Sequence, residues 1–252
     1  FEGPLQGLGD GPMSLVDLYK VRNTDWLVAI KTYAKETLVK FNAVAQASAE
    51  RDALAALRRH PSILKLFNAF QSHDSVHMVL EYCPHGDLVD RVRREPGQRL
   101  PYVVCVEYLL QLFDVLRYIH EKGYVHRDVK AENILLGSDG RIRLADFALC
   151  YLRGTACEKP FVGSAQYMAP ETIAGAKIPT EKVDVFGAGN VGYYLMTGKF
   201  AFLRDTEYLT MVAINTEQPV FEVQDTLVDV IAQTLTKNQE QRPNASQVVQ
   251  ML

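Results

Sequence analysis

The hydrophobic pattern divides the chain into a strand-rich first third and a mainly helical remainder. Strand-like runs separated by turn residues cover positions 5–33, and two more follow at positions 64–71 and 76–82. Positions 41–58 are rich in alanine and carry charges at their end, which predicts a helix. The first third therefore predicts a β-rich unit that contains one helix.

The remainder predicts helices around two short strands. A long helix is expected over positions 101–122, with Pro101 near its first turn and Gly123 after its end. Short strands are expected at Ile134–Leu136 and Ile142–Leu144, and amphipathic helices at positions 206–252. Apolar residues recur at helical spacing in the long helix and predict that it packs in the core: Leu109, Leu112, Phe113, Leu116 and Ile119.

Composition and charge narrow the class of protein. The 252 residues are 48% hydrophobic and 23% charged, which is enough for a substantial core in two lobes. A net charge of −3 suggests no broad attraction to nucleic acids, and no apolar run is long enough to span a membrane. The four cysteines lack paired spacing, so we expect free thiols in a reducing compartment, the cytoplasm by default.

The most specific chemistry lies between His126 and Asn133, in the order His-Arg-Asp-Val-Lys-Ala-Glu-Asn. Asp128 could orient a hydroxyl group and accept its proton, and Lys130 could neutralise a moving phosphoryl group. The amide oxygen of Asn133 could hold a metal ion without adding charge. These residue types suit phosphoryl transfer, and the alternative is an ordinary polar loop after a helix.

This segment fits the pattern H-R-D-x-K-x-x-N and resembles the catalytic loop of eukaryotic protein kinases. Lys130 and the Gly-Ser-x-x-Tyr-x-Ala-Pro-Glu form of positions 163–171 are similar to the serine/threonine type. Other motifs resembling that family follow in order along essentially the whole chain: positions 8–16 for the Gly-rich loop, Val28-Ala29-Ile30-Lys31, Asp146-Phe147-Ala148, Ala169-Pro170-Glu171, Asp184-Val185-Phe186 and Arg242-Pro243.

The resemblance implies a fold and an activity. The fold would be α+β and bilobal, with a β-rich N-lobe (1–82), a hinge (83–87) and a mainly helical C-lobe (88–252). The activity would be that of a serine/threonine protein kinase, which transfers the γ-phosphate of ATP, bound with Mg²⁺, to hydroxyl groups of a protein substrate. The regulatory partner is left open.

The resemblance also implies a role for individual residues. Asp128, Lys130 and Lys31 would be catalytic, and Asn133 and Asp146 would hold the metal. The backbone of Glu81 and Cys83 would bind adenine, so that side-chain identity there would matter little. The full set of implied nucleotide-binding positions is Leu8, Gly9, Gly11, Val16, Ala29, Lys31, Glu50, Glu81, Cys83, Asp87 and Leu135. Asp184 would brace the backbone of the catalytic loop.

Four of these assignments have alternatives. The Gly-rich segment could be an ordinary hairpin turn, and Lys31 could face solvent from an edge strand. Glu50 could lie on a solvated helix face, because the spacing usual in the family lands on Arg51. Asp87 could cap a helix instead of binding ribose.

A rival from another functional class is a pseudokinase, which binds nucleotide and partners without transferring phosphate. Ser14 replaces the third glycine of the Gly-rich loop, Pro12 removes one amide donor, and the assignment of Glu50 is uncertain. Ala148 replaces the glycine of Asp-Phe-Gly, and we expect it to restrict the motif's conformational switch while the chemistry is kept. Against the rival, the residues expected to contact metal, phosphate and hydroxyl are all present.

The sequence gives weaker indications of substrate specificity and of regulation by phosphorylation. Glu132 and Asp87 could attract basic residues of a peptide substrate, or could be solvated surface charges. Arg127 would be available to a phosphate on the activation segment, but Lys159-Pro160 occupies the usual phosphosite. Thr155 is the nearest hydroxyl and Glu158 a candidate substitute, so we expect activity without phosphorylation.

Overall fold

The first third of the chain folds into a five-stranded antiparallel sheet in the computed structural model, which describes residues 1–155, 157, 162–222 and 225–252. The sheet order is β1-β2-β3-β5-β4, so β3 is a central strand and Lys31 does not lie on an edge. Its strands are β1 (Glu2–Asp10), β2 (Leu15–Lys20), β3 (Leu27–Ala34), β4 (Leu66–Gln71) and β5 (Ser75–Glu81).

Two helices connect β3 to β4 where the sequence predicted one. Helix α1 covers Lys35–Lys40 and α2 covers Val44–Leu57. The prediction that a helix begins at position 41 was wrong, because Asn42 adopts a left-handed conformation with φ of 49° and separates the two helices. Asparagine tolerates this conformation better than most residues. One face of α2 is buried and includes Glu50 and Leu54.

The remainder is mainly helical, as the pattern predicted. Strands β6 with β9 and β7 with β8 form two small antiparallel pairs. The helices are α3 (Leu88–Arg93), α4 (Tyr102–Glu121), α5 (Pro170–Ile173), α6 (Lys182–Thr197), α7 (Glu207–Thr216), α8 (Thr226–Thr234) and α9 (Ala245–Met251). The strands are β6 (Tyr124–Val125), β7 (Ile134–Leu136), β8 (Ile142–Leu144) and β9 (Tyr151–Leu152). The α+β, bilobal fold class is thereby confirmed.

Helices α4 and α6 form the buried centre of the helical part. The residues of α4 predicted to face the core are buried, and Gly123 follows the helix with φ of 85°. In α6, a Cβ atom on Gly187 would lie 2.8 Å from the carbonyl oxygen of Val129. Glycine is therefore needed where α6 touches the backbone of the segment 126–133.

Two junctions position the site. Strand β5 ends at Glu81 and α3 begins at Leu88, so the expected hinge lies between them. The segment 126–133 follows β6 and leads into β7. Within the described ranges, no helix has both the length and the hydropathy to cross a membrane.

Candidate active site

Asp128 is the centre of the polar segment 126–133. It is 7% exposed, and its Oδ2 lies 2.8 Å from Nζ of Lys130. The side-chain nitrogen Nδ2 of Asn133 donates to the same Oδ2 at 3.0 Å and to the backbone carbonyl of Asp128 at 2.9 Å. Two donors therefore fix the orientation of a carboxylate that stands at the edge of the core.

Asp184, in the first turn of α6, holds the backbone of this segment. Its carboxylate accepts hydrogen bonds from the amides of His126 at 2.8 Å and Arg127 at 2.7 Å, and it pairs with Nε2 of His120 at 2.9 Å. Burial acts to raise the pKa of Asp184, but His120 and the His126 amide outweigh it and hold the pKa below its usual value. The bracing role predicted for Asp184 is confirmed.

Lys31 makes the second charged cluster. Its Nζ lies 2.7 Å from Oε1 of Glu50 and 3.3 Å from Oδ1 of Asp146. Burial acts to lower the pKa of Lys31, but the two carboxylates outweigh it and hold the pKa above its usual value. Glu50 is 1% exposed, whereas Arg51 pairs with Asp52 on the surface, so the solvated-face alternative for Glu50 was wrong.

Asp146 is the second carboxylate of the Lys31 cluster. Its backbone is left-handed, with φ of 59°. Burial acts to raise its pKa, but Lys31 first and His126 second hold the pKa below its usual value. The following Phe147 is fully buried with its ring 4.7 Å from the His126 ring, and Ala148 lies in a 3-10 helix, Phe147–Leu149.

The Gly-rich segment forms the turn between β1 and β2. The amide of Gly11 donates to the carbonyl of Ser14 at 2.9 Å, which closes the hairpin and occupies that donor. Leu8 and Gly9 lie on β1, and Val16 on β2 pairs with Lys31 on β3. These strands bring the glycines and Lys31 to the same end of the sheet.

The expected adenine-binding positions lie at the exit of β5 and beside it. Ala29 on β3 pairs with Leu80 on β5, one residue before Glu81. Burial raises the pKa of the Cys83 thiol to about 12, so this cysteine remains protonated. Asp87, four residues further along the chain, forms a single antiparallel β-bridge with Leu135 of β7.

Asp87 caps α3. Its carboxylate accepts a hydrogen bond from the amide of Asp90 at 2.8 Å, which satisfies one donor of the first helical turn. The capping role is therefore confirmed, and ribose binding by Asp87 stays a prediction. Burial raises the pKa of Asp87, and the negative charges of Asp90 and Glu132 add to this rise.

Comparisons with known proteins assign this geometry to a family. A family model described as a protein kinase domain matches residues 4–252. The chain belongs to the protein kinase family.

Relatives of this kinase domain are named as kinases, and two of them, PKH1 and PKH2 of Saccharomyces cerevisiae, are named as serine/threonine-protein kinases. It is 32% identical over 246 residues to an Aurora kinase of Schizosaccharomyces pombe, covering 96% of this chain and 68% of that protein. It is 31% identical over 256 residues to serine/threonine-protein kinase PKH2 of Saccharomyces cerevisiae, covering 96% of this chain and 23% of that protein. It is 32% identical over 251 residues to 3-phosphoinositide-dependent protein kinase 1 of Arabidopsis thaliana, covering 94% of this chain and 50% of that protein. The prediction of a serine/threonine-type kinase domain is confirmed, and the domain spans between about a fifth and two thirds of the length of the relatives it matches first.

The kinase domain also has an ion pair that joins two of its late motifs. Arg242 is 1% exposed and donates to both carboxylate oxygens of Glu171, at 2.7 and 3.0 Å. This pair joins the Ala-Pro-Glu motif at the start of α5 to the loop before α9.

Four residues of the kinase site were missed by the sequence reasoning. Tyr33 donates to Glu50, and its position two residues after Lys31 on one strand face was an available signal. Ser164 accepts a hydrogen bond from Lys130 at 3.1 Å and lies within a motif that was recognised. His120 binds Asp184 and had no local signal, whereas Arg143, a charge inside a short apolar strand, did.

The side chain of Glu81 has a structural partner that the sequence did not indicate, and the expectation that its identity matters little for adenine binding stays a prediction. The Glu81 carboxylate is bound by the buried guanidinium of Arg143, at 3.0 and 3.1 Å from Nε. Replacing it would leave a buried cation without one of its counter-charges.

The residues near Asp146 fit a hard cation. Asp146 supplies a carboxylate, and the hydrogen bonds from Asn133 to Asp128 use its amide nitrogen and leave the amide oxygen as its acceptor atom. Carboxylate and amide oxygens are ligands that suit Mg²⁺. The donor set is therefore consistent with the predicted metal.

Proposed function

We propose that this domain transfers the γ-phosphate of ATP to serine or threonine hydroxyl groups of protein substrates. The observation that carries the proposal is the geometry at Asp128. A nearly buried carboxylate is held by an ammonium at 2.8 Å and an amide at 3.0 Å, and the pair of Lys31 with Glu50 is formed at the same time. Family membership supports ATP as the phosphate donor.

Each charged residue has a distinct task in this proposal. Asp128 orients the substrate hydroxyl and accepts its proton as the oxygen attacks phosphorus. Lys130 lies beside Asp128 and offsets negative charge on the transferred phosphoryl group. Lys31, held by Glu50, positions the α- and β-phosphates, so that catalysis rests mainly on positioning and electrostatics.

Asn133 and Asp146 would hold Mg²⁺. The ion would supply positive charge that neutralises the phosphate oxygens of the nucleotide. Asp146 remains ionised because Lys31 holds its pKa below the usual value, so its carboxylate is ready to bind a cation at neutral pH.

The test is transfer of phosphate from ATP with Mg²⁺ to a generic basic protein, compared between the wild type and Asp128→Asn. We expect transfer by the wild type and a loss of at least about a hundredfold in the variant, because the amide cannot accept the proton. A suitable control is Glu240→Gln, an exposed carboxylate before α9. Transfer that is equal in Asp128→Asn and the wild type would contradict the proposal.

The pseudokinase alternative makes a different prediction in the same experiment. A wild type that shows a thermal shift with ATP and Mg²⁺ but no transfer would support it. Reversion of Ala148→Gly and Ser14→Gly would then be expected to restore transfer. The buried pair of Lys31 with Glu50 counts against this alternative, because the doubt about Glu50 was one of its motives.

We also propose that the peptide substrate carries basic residues near its acceptor. Glu132 is exposed on the 3-10 helix that includes Asn133; this helix packs against α3, and Asp87 caps the N-terminus of α3. Two carboxylates close together attract arginine or lysine. A peptide array should show a basic preference that weakens in Glu132→Gln and persists in Glu240→Gln, and a wild type without basic preference would contradict this.

A further inference from the structure

A buried arginine connects the exit of β5 to the β7–β8 hairpin. Arg143 is 5% exposed, and its Nε donates to both carboxylate oxygens of Glu81 at 3.0 and 3.1 Å. Its Nη2 donates to Asp139 at 3.0 Å and its Nη1 to the carbonyl of Ile142 at 3.1 Å. The guanidinium is thus shared between the last residue of β5 and the turn of the hairpin.

The hairpin is shaped around this side chain. Arg143 pairs directly with Leu135 in the β7–β8 register, and residues paired in this way project from the same face. A Cβ atom on Gly137 would lie 3.0 Å from Cζ of Arg143, so a glycine leaves the room that the guanidinium occupies. The amide of Leu136 donates to the carbonyl of Gly86 at 2.8 Å. The hairpin therefore contacts the chain on both sides of the segment 82–85.

We propose that Arg143 is a positioning residue for the adenine end of the nucleotide site. By fixing Glu81 it sets the backbone of positions 81–83 relative to Leu135, which is paired with Arg143 itself. The role rests on the proposed function, because it requires that adenine binds there. A buried, multiply bonded arginine can hold a backbone in place, whereas an exposed ion pair contributes little order.

Binding of two ligands separates this role from the role of Lys31. Adenosine carries the base without phosphates, and ATP with Mg²⁺ carries both. Arg143→Met and Glu81→Gln should weaken the binding of adenosine and of ATP alike, each by about tenfold, because the charge-assisted bond that holds the backbone of positions 81–83 in place is lost. Lys31→Met should weaken ATP binding much more than adenosine binding.

Arg117→Met is the matched control. Arg117 also pairs with two carboxylates, Asp114 at 2.7 Å and Glu121 at 3.0 Å, but on the surface of α4. It should change neither affinity. In the kinase assay, Arg143→Met should raise the KM for ATP about tenfold while kcat at saturating ATP stays within about twofold.

Titration calorimetry below the melting temperature of each variant decides the matter. Adenosine affinity that is unchanged in Arg143→Met and Glu81→Gln, even with a lower Tm, would overturn the inference and leave the pair a structural one. If Arg143→Met does not fold, Glu81→Gln decides alone, since its amide keeps the size of the side chain. Partial recovery of affinity in Arg143→Lys would support the role. A wild type that binds neither adenosine nor ATP would overturn the proposed function as well, which distinguishes the two failures.

Discussion

Arg242 is the residue whose loss should destabilise the fold most clearly without touching the proposed chemistry. All of its donor nitrogens are engaged. Nη1 and Nη2 donate to the Glu171 carboxylate, and Nε donates to the backbone carbonyl of Thr236 at 2.9 Å. Nη1 and Nη2 also donate to the backbone carbonyls of Lys182 at 2.7 Å and Lys237 at 3.3 Å. Its guanidinium also lies 4.9 Å from the ring of Phe186. We therefore choose Arg242→Met as the perturbation.

The magnitude follows from what the substitution leaves behind. Glu171 would keep a largely buried carboxylate, 10% exposed at its side chain, without its counter-charge. Breaking a buried pair by removing one partner costs about 3–5 kcal/mol. At ~2–4 °C per kcal/mol for a chain of this size, Tm should fall by about 6–20 °C.

Thermal and urea unfolding of the whole domain would measure this loss. Arg242→Met/Glu171→Gln should recover part of the stability, because the unpaired carboxylate is then gone, and Arg117→Met serves as the control with an exposed arginine. Adenosine affinity measured well below Tm should be unchanged in every variant. A Tm within about 2 °C of the wild type for Arg242→Met would refute the reasoning, since it would show that the buried pair contributes little.

Three further outcomes are expected. Lys31→Met should lower kcat/KM, measured by steady-state kinetics, by about a hundredfold or more. Glu50→Gln should lower it by less, because Lys31 still has its ion pair with Asp146; equal losses in the two variants would contradict this order. Lys237 lies 3.7 Å above the Phe202 ring, and burial, assisted by Arg242, lowers its pKa to about 8. Because the pKa of Lys237 is lower in the folded than in the unfolded chain, folding releases a proton between about pH 8 and 10.5. The Tm of the wild type relative to that of Lys237→Met should therefore rise across that pH range, and a constant difference in Tm would contradict this. Phosphatase treatment should leave activity intact; loss of activity that Thr155→Ala reproduces would show that phosphorylation is required.

The last of these outcomes concerns a region that is only partly described. Glu158, Lys159 and Pro160, on which the expectation of a built-in substitute for phosphate rested, lie outside the described residues. Arg127 donates to the carbonyl of Leu149 at 2.6 Å and to Sγ of Cys157 at 3.3 Å. The hydroxyl of Thr155 donates to Leu152 at 2.7 Å, so it has a local partner in its turn. Independence from phosphorylation stays a prediction.

The sequence by itself determined the parts of this protein that depend on local pattern and residue type. Alternation and helical spacing located the strands of the sheet and α4, because these periods follow directly from backbone geometry. Motif order identified the catalytic loop, Lys31 and Asp146, since a carboxylate, an ammonium and an amide at fixed spacing are what phosphoryl transfer requires.

Only the tertiary structure decided which distant residues meet. Spacing along the chain could not choose between Glu50 and Arg51, because the choice depends on which face α2 turns toward β3. Arg143 and Glu81 are separated by 62 positions, and no period links them. A buried charge is costly unless it is paired with an opposite charge. Which residue provides that opposite charge depends on how the sheet, the hairpin and the helices pack together, and the local sequence pattern does not encode this packing.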